Sequence, residues 1–135
     1  MKICIVDTTV ASFMLQNRPE LSVYQTHLAG ATIYISFQTV AEMRYGALHK
    51  DWGERRKQQL ENFLNSLHIV GYTSDLADKW ATIMQEARQV GRRLEAGDAW
   101  IAATALLLEA PLITSDKDFD IEACPSITVH RYGAI

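Results

Sequence analysis

Four acidic residues stand beside apolar sequence, where carboxylates are uncommon and where they could do chemistry together. Asp7 follows the apolar run "ICIV", and Asp116 follows "LIT". Glu42 lies in "TVAEMRYG", and Asp98 opens the most apolar helical segment of the chain. Buried carboxylates without compensation are strongly unfavourable, and several that converge need a cation to neutralise them. The joint pattern predicts a site for a divalent metal ion.

The predicted ion is Mg²⁺ or Mn²⁺, because carboxylate and water ligands suit these cations and no Cys or His stands at ligand spacing. Taken one at a time, the acids also fit structural roles. Asp98 at a helix start could be a cap, and Asp7 could be a turn residue. The metal hypothesis therefore depends on the four positions being close together in space.

Other functions that use acidic loops fit the sequence poorly. "DKDFDIE" opens like a calcium-binding EF-hand loop, but Ile121 and Ile127 occupy the positions that need Gly and Glu. Haloacid-dehalogenase phosphatases need a second Asp where Thr9 stands, and response-regulator receivers need an acidic pair after the first strand. Neither Gly-rich phosphate-loop motif is present.

Apolar patterning predicts strands and helices in alternation. The predicted strands cover residues 2–6, 31–36, 68–72, 112–114 and 127–132. The predicted helices lie within 8–30 with a break near Pro19, from Phe37 to about His49, over 54–67, over 74–91 with Ser74 as N-cap, and over 98–110. This order favours an α/β sandwich with a central, mostly parallel sheet flanked by helices. Ligands of such sheets bind at the carboxyl ends of the strands, where Asp7 and Asp116 fall.

Length and composition limit the number of domains and the cellular compartment. The chain has 135 residues, of which 48% are hydrophobic and 21% charged, so we expect one domain over residues 1–135. Cys4 is expected in the core. No apolar run is long enough to cross a bilayer. The apolar segment of "MKICIVD" is too short for a signal peptide, and an acidic residue, Asp7, follows it directly. We therefore expect a cytoplasmic protein without membrane contact.

The net charge of -3 does not favour nucleic-acid binding, but the basic residues cluster locally. Arg55, Arg56 and Lys57 form one group, and Arg92 and Arg93 belong to a second. Charge patterning alone leaves two interpretations open: solvated helix faces, or patches that hold a phosphate backbone.

Four landmarks in order resemble one family. They are "IVDTTV" at 5–10, "AEMRYGA" at 41–47, "GDAWIAATAL" at 97–106 and "LITSDKDF" at 112–119. With these landmarks the chain resembles PIN-domain nucleases, specifically the VapC-type toxins of bacterial toxin–antitoxin pairs, over nearly its whole length. The resemblance implies a PIN-like three-layer sandwich and a Mg²⁺- or Mn²⁺-dependent endoribonuclease.

The resemblance also assigns roles to residues. It carries the family's acidic residues over to Asp7, Glu42, Asp98 and Asp116. Asp7, Asp98 and Asp116 would hold the metal, with Asp118 as the alternative fourth acid, while Glu42 would ligate or position water. The hydroxyls of Thr9 and Thr114 would support these carboxylates. Trp100 is expected to be a packing variation. Phe119 is expected to anchor the turn in the core, and Asp120 to be solvated.

The resemblance further implies partners: an RNA substrate held by the basic groups, a cognate antitoxin protein, and a second copy in a homodimer. The faces of the helices at 37–49 and 54–67 would either form an antitoxin groove or be filled by the chain's own core. Two other functions stay open. One is a PIN-fold RNA-processing or other nuclease outside a toxin–antitoxin pair, and the other is a catalytically silent binding module.

Overall fold

A parallel sheet forms the centre of the protein in the computed structural model, which describes residues 1–115 and 119–132. Its five strands are β1 (Ile3–Val6), β2 (Thr32–Ser36), β3 (His68–Val70), β4 (Leu112–Ser115) and β5 (Val129–Tyr132). Their order across the sheet is β3-β2-β1-β4-β5, and every neighbouring pair is parallel.

Helices connect the strands and cover both faces of the sheet. They are α1 (Thr8–Gln16), α2 (Gln25–Leu28), α3 (Phe37–His49), α4 (Glu54–Asn65), α5 (Ser74–Gln89) and α6 (Ala96–Leu108), with short 3-10 helices at Pro19–Tyr24 and Ile121–Ala123. Asn17 ends α1 in the left-handed conformation (φ 50°), and Pro19 opens the next turn. The predicted break near Pro19 is confirmed.

Side chains alternate across β1, so that the strand contributes to two separate cores. Cys4 and Val6 belong to one buried cluster, whereas Ile5 belongs to the other. The first cluster includes Val10, Val40, Met43, Ala47, Leu60 and Leu64 from α1, α3 and α4. The second includes Leu76, Ile83, Ala87, Ile101, Ala102 and Ala105 from α5 and α6. A strand buried on both faces has an uninterrupted apolar run in its sequence, and the predicted three-layer α/β sandwich is confirmed.

The strand order places a crevice at the carboxyl ends of β1 and β4. From β1 the chain moves outward to β2 and β3, then crosses by α5 and α6 to β4 on the other side of β1. Such a crevice opens where the connections that follow two neighbouring strands turn towards opposite edges of the sheet. Parallel sheets bind their ligands at this point. Asp7 directly follows β1 at this point.

Two predicted helix starts are wrong, and one is confirmed. Ser36 caps α3, because its hydroxyl accepts a hydrogen bond from the Gln38 amide at 3.0 Å. The cap of α5 is Thr73 and not Ser74, because the extended backbone lies at Thr73 and its hydroxyl accepts from Leu76 N. Helix α6 begins at Ala96, so Asp98 lies in its first turn and is not its cap. A carboxylate there still interacts favourably with the helix dipole.

Across residues 1–115 and 119–132, no helix combines the length and apolarity that a membrane span requires.

The two cysteines are buried in different cores, Cys4 at 1% exposure in one and Cys124 at 1% in the other. Burial raises the pKa of the Cys4 thiol. Burial, together with the negative charges of Glu86, Asp120 and Asp98, raises the pKa of Cys124 to about 12. Both thiols are free, and the expectation that Cys4 lies in the core is confirmed.

The folded protein should therefore resist alkylation at pH 8, because the thiolate is the reactive form. For Cys124 the raised pKa alone should slow iodoacetamide labelling on the order of a thousandfold relative to the urea-unfolded chain. Mass spectrometry after timed labelling measures this. Prompt modification of either cysteine in the folded chain would contradict the burial.

Candidate active site

Asp7 is a buried carboxylate at the crevice, with 4% of its surface exposed. Its Oδ1 accepts a hydrogen bond from Val10 N at 2.8 Å and so caps α1. Its Oδ2 accepts a hydrogen bond from the Thr114 hydroxyl. Its own amide donates to the Ile113 carbonyl at 3.1 Å, which continues the pairing of β1 with β4. Asp7 is thus a structural cap, and its role as a metal ligand stays a prediction.

The two predicted supporting hydroxyls lie in different environments. Thr114 is fully buried on β4 and donates a hydrogen bond to Asp7 directly. Thr9 lies half-buried in the first turn of α1, two residues after Asp7. A hydrogen bond to Asp7 is therefore observed for Thr114, and the support of a metal site by Thr114 and Thr9 stays a prediction.

A pair of hydroxyls that sequence reasoning missed connects the first landmark to the second. Thr8 Oγ1 and Thr39 Oγ1 share a hydrogen bond of 3.1 Å, and Thr39 is fully buried. Thr8 follows Asp7, and Thr39 lies one helical turn before Glu42, so this bond brings the starts of α1 and α3 together. The buried polar position in "FQTVAEM" was the available signal, since a buried hydroxyl needs a partner.

Glu42 faces the start of α6. Gln38 Nε2 donates to Glu42 Oε1 at 2.8 Å, one turn apart on α3. A Cβ placed on Gly97 would lie 2.9 Å from Gln38 Nε2 and 3.3 Å from Glu42 Oε1. Glycine at 97 therefore permits the close approach of these side chains to the residue next to Asp98. Sequence reasoning missed Gln38 because nothing in a lone Gln distinguishes it from a solvated one.

Asp98 is half-buried in the first turn of α6. Trp100 fixes the orientation of this turn, because its ring packs 5.4 Å from Phe37 and 5.4 Å from Trp80, measured between centroids. The expectation that Trp100 has a packing role agrees with these contacts.

Asp116 and Asp118 lie outside the described residues. The chain on either side of them is described: Thr114 precedes them, and Phe119 follows, buried at 4% exposure as expected. Asp120 was expected to be solvated, and 34% of its side chain is exposed. It has structural contacts as well: it caps the short helix that follows by accepting a hydrogen bond from Glu122 N at 3.1 Å, and it lies 3.7 Å from Arg92.

A family model described as "PIN domain" matches residues 4–121. Ribonuclease VapC5 of Mycobacterium tuberculosis is 34% identical over 96 residues, which cover 69% of this chain and 71% of that protein. The chain belongs to the VapC branch of the PIN-domain family. Sequence reasoning from the four landmarks had reached the same family.

Solved structures share this PIN-domain fold over almost the whole chain. VapBC2 from Rickettsia felis, bound to a DNA fragment from its promoter, matches with a TM-score of 0.78 at 21% identity, covering 96% of this chain and 98% of that one. VapBC-5 from Mycobacterium tuberculosis, a member of the VapBC family of toxin–antitoxin systems, matches with a TM-score of 0.70 at 24% identity, covering 99% and 100%.

The candidate metal ligands of this PIN domain are oxygen donors, which is the ligand type that a hard divalent cation prefers. Asp7, Glu42 and Asp98 are carboxylates, and such ligands suit Mg²⁺ and Mn²⁺. Within residues 1–115 and 119–132, no three His, Cys, Asp or Glu side chains are grouped closely enough to hold a metal. Two further acids, at 116 and 118, fall in the segment of the chain between β4 and Phe119.

The predicted RNA-binding cations differ in the contacts that they make within the protein. Arg92 forms ion pairs with Asp120 and Glu122. Arg93 lines a cavity of about 900 Å³ beside the start of α6. Arg92 therefore connects the segment before α6 to the segment after Phe119.

The second basic group lies on α4. Lys57 pairs with Glu54 at 3.3 Å, and Arg55 is exposed. The guanidinium of Arg56 lies over the Trp52 ring, with its carbon 4.0 Å from the ring centroid. Of this group, Arg56 is the cation with a defined aromatic contact.

Replacing Thr114 with Val should destabilise the protein by about 1–3 kcal/mol, because the buried Asp7 carboxylate loses a donor. Thr104→Val is the matched control. Thr104 is equally buried, but its hydroxyl donates to the Trp100 carbonyl of its own helix, so its loss should cost less than about 1 kcal/mol. Urea unfolding measures both. Equal losses would contradict a specific role for the Thr114–Asp7 bond.

Gly97→Ala and Gly46→Ala test the close approach at Glu42. Gly46 lies in α3 with open space around its Cβ position, so alanine should stabilise the protein by up to about 1 kcal/mol. At Gly97 the same gain should be cancelled, because Gln38 must leave its hydrogen bond with Glu42. The free energies of unfolding of the two variants should therefore differ, and a similar gain in both would show that Gln38 moves without cost.

Proposed function

We propose that this PIN-domain protein is an endoribonuclease that hydrolyses RNA phosphodiester bonds with Mg²⁺ or Mn²⁺ and acts as the toxin of a toxin–antitoxin pair. The observation that carries the proposal is the position of Asp7. It is a buried carboxylate at the crevice between β1 and β4, held by Thr114 and by the start of α1. The relative named Ribonuclease VapC5 supports the same activity.

The metal ligands would be Asp7, Asp98 and Asp116, with Asp118 as the alternative to Asp116. The chemistry that a divalent cation held by these carboxylates would supply is a lowered pKa of a bound water and compensation of negative charge on the phosphodiester. Asp7 enters this role with its carboxylate already fixed on both oxygens, so little side-chain freedom remains to be lost on binding.

Glu42 would position the attacking water by accepting a hydrogen bond from it. Gln38 holds one carboxylate oxygen of Glu42, and Gly97 leaves room for that arrangement beside Asp98. Hydrolysis adds the water oxygen to phosphorus and delivers a proton to the oxygen that leaves. Fixing the acceptor in advance favours an in-line approach of the water.

The proposed partners are RNA, an antitoxin and a second copy of this chain. Solved neighbours described as VapBC complexes support the antitoxin. The apolar residues of α3 and α4 are unsuitable as its groove where they are buried, because Met43, Leu60 and Leu64 fill the protein's own core. Sedimentation velocity tests the homodimer, and a monomer at micromolar concentration would contradict it. Relief of growth arrest by a co-expressed neighbouring gene tests the antitoxin.

Asp7→Asn should lower metal-dependent RNA cleavage by roughly 10²–10³-fold, the usual loss when one group that stabilises charge is removed. Asparagine still caps a helix well, but its single oxygen cannot accept from both Val10 N and the Thr114 hydroxyl, so the free energy of unfolding should fall by about 1–3 kcal/mol while the chain stays folded. Asp75→Asn is the control, because Asp75 is an exposed acid in the first turn of α5.

Cleavage of labelled RNA, followed with Mg²⁺ and with EDTA, measures this effect. Cleavage that continues in EDTA would contradict metal dependence. Equal activity of Asp7→Asn and Asp75→Asn would contradict the proposed site.

A further inference from the structure

A groove of two adjoining sections lies beside α1. Its inner section, between α1 and α3, is a cavity of about 80 Å³, and its outer section is a cavity of about 350 Å³. Leu15, Gln16 and Trp52 line both sections, so the two lie next to each other. The inner section is also lined by Thr8, Ser12, Glu42 and Lys50, and the outer section by Arg18, Arg56 and Gln59. The groove therefore starts at the proposed active site and ends among cations.

Trp52 and Arg56 form a stacked pair at the outer section. Trp52 is half-buried against the core, and its amide donates to the Ala47 carbonyl at 2.9 Å. The guanidinium of Arg56 lies over this ring, 4.0 Å from its centroid, while Arg56 as a residue is exposed. The ring thus holds the planar cation of an exposed residue that lines the outer section.

Charge along the groove favours an anionic occupant. Arg18, Lys50 and Arg56 line it, and Glu42 is the one carboxylate among the described lining residues, at the inner end. Arg18 has a neighbouring acid, Glu20, at 3.2 Å, but that pair is exposed and screened by solvent. An apolar peptide would find polar Gln16 and Gln59 together with these cations.

We infer that this groove binds single-stranded RNA next to the cleaved bond, with one unpaired base stacked on the Arg56 guanidinium and phosphates beside Arg18 and Lys50. The inference rests on the proposed ribonuclease function and adds a subsite to it. Unpaired bases stack on guanidinium planes as well as on aromatic rings. A base bound there lies along the groove from Glu42, so the contact would set where the strand enters the active site.

The test compares Arg56→Lys with Arg44→Lys. Both keep the positive charge, but Arg56→Lys removes the planar group from the groove, whereas Arg44 is an exposed residue of α3 that does not line it. Binding of a fluorescein-labelled single-stranded oligoribonucleotide is measured by anisotropy in EDTA. Arg56→Lys should weaken binding about fivefold or more, the lower end of the effect of one stacked base, and Arg44→Lys should leave it unchanged.

A second pair of variants examines the ring beneath Arg56. Trp52→Phe retains an aromatic face and should keep most of the affinity, whereas Trp52→Leu removes it and should match Arg56→Lys. Urea unfolding of each variant shows that the chain is folded. An oligoribonucleotide series with one abasic position should show a loss in the unmodified protein that is absent in Arg56→Lys.

Two results would overturn the inference. One is equal affinity of Arg56→Lys and Arg44→Lys for RNA. The other is unchanged RNA binding in Trp52→Leu while binding of an antitoxin-derived peptide is lost, which would make the groove a protein site. Cleavage of the same RNA with Mg²⁺ is measured in parallel. If the unmodified protein does not cleave RNA, the proposed function is contradicted. If it cleaves RNA but Arg56→Lys binds RNA as tightly as the unmodified protein, only the proposed subsite is contradicted.

Discussion

The structure depends on one buried carboxyl group whose two oxygens are held by hydrogen bonds. Asp7 is at the carboxyl end of the central strand with almost no exposed surface, where a polar group without partners would cost free energy. Two hydrogen bonds offset that cost, one from the first turn of α1 and one from Thr114. The same bonds fix where α1 begins and how the ends of β1 and β4 meet. Stability and the geometry of the site are therefore linked through one side chain.

Around Asp7 the site is assembled by small polar contacts between helix starts. Thr8 and Thr39 join α1 to α3. Gln38 and Glu42 lie against Gly97 and so join α3 to α6. These contacts lie at the carboxyl ends of parallel strands, where helix N-termini also gather and favour negative charge. The proposed acidic site, which would bind a cation and then an anionic phosphodiester, fits this edge of the sheet.

Much of this arrangement could be predicted from sequence, because apolar runs and their alternation determine a parallel sheet. The break near Pro19, the cap at Ser36 and the position of Asp7 after β1 all follow from local patterns. Contacts between distant segments could not be predicted in this way. The Thr8–Thr39 bond, the need for Gly97 and the pairing of Arg92 with Asp120 depend on which helix faces meet. The predicted starts of α5 and α6 were wrong because several neighbouring residues have suitable side chains and only the backbone angles decide between them.

The bond between Asp7 and Thr114 joins residues separated by 107 positions. During synthesis Asp7 leaves the ribosome long before Thr114, and domains generally fold as units once their sequence has emerged. The carboxylate therefore lacks its β4 donor until at least 107 further residues have been translated. A nascent chain that stops short of Thr114 contains Asp7 without this hydrogen bond, so the geometry at the end of β1 is completed only after β4 has been synthesised.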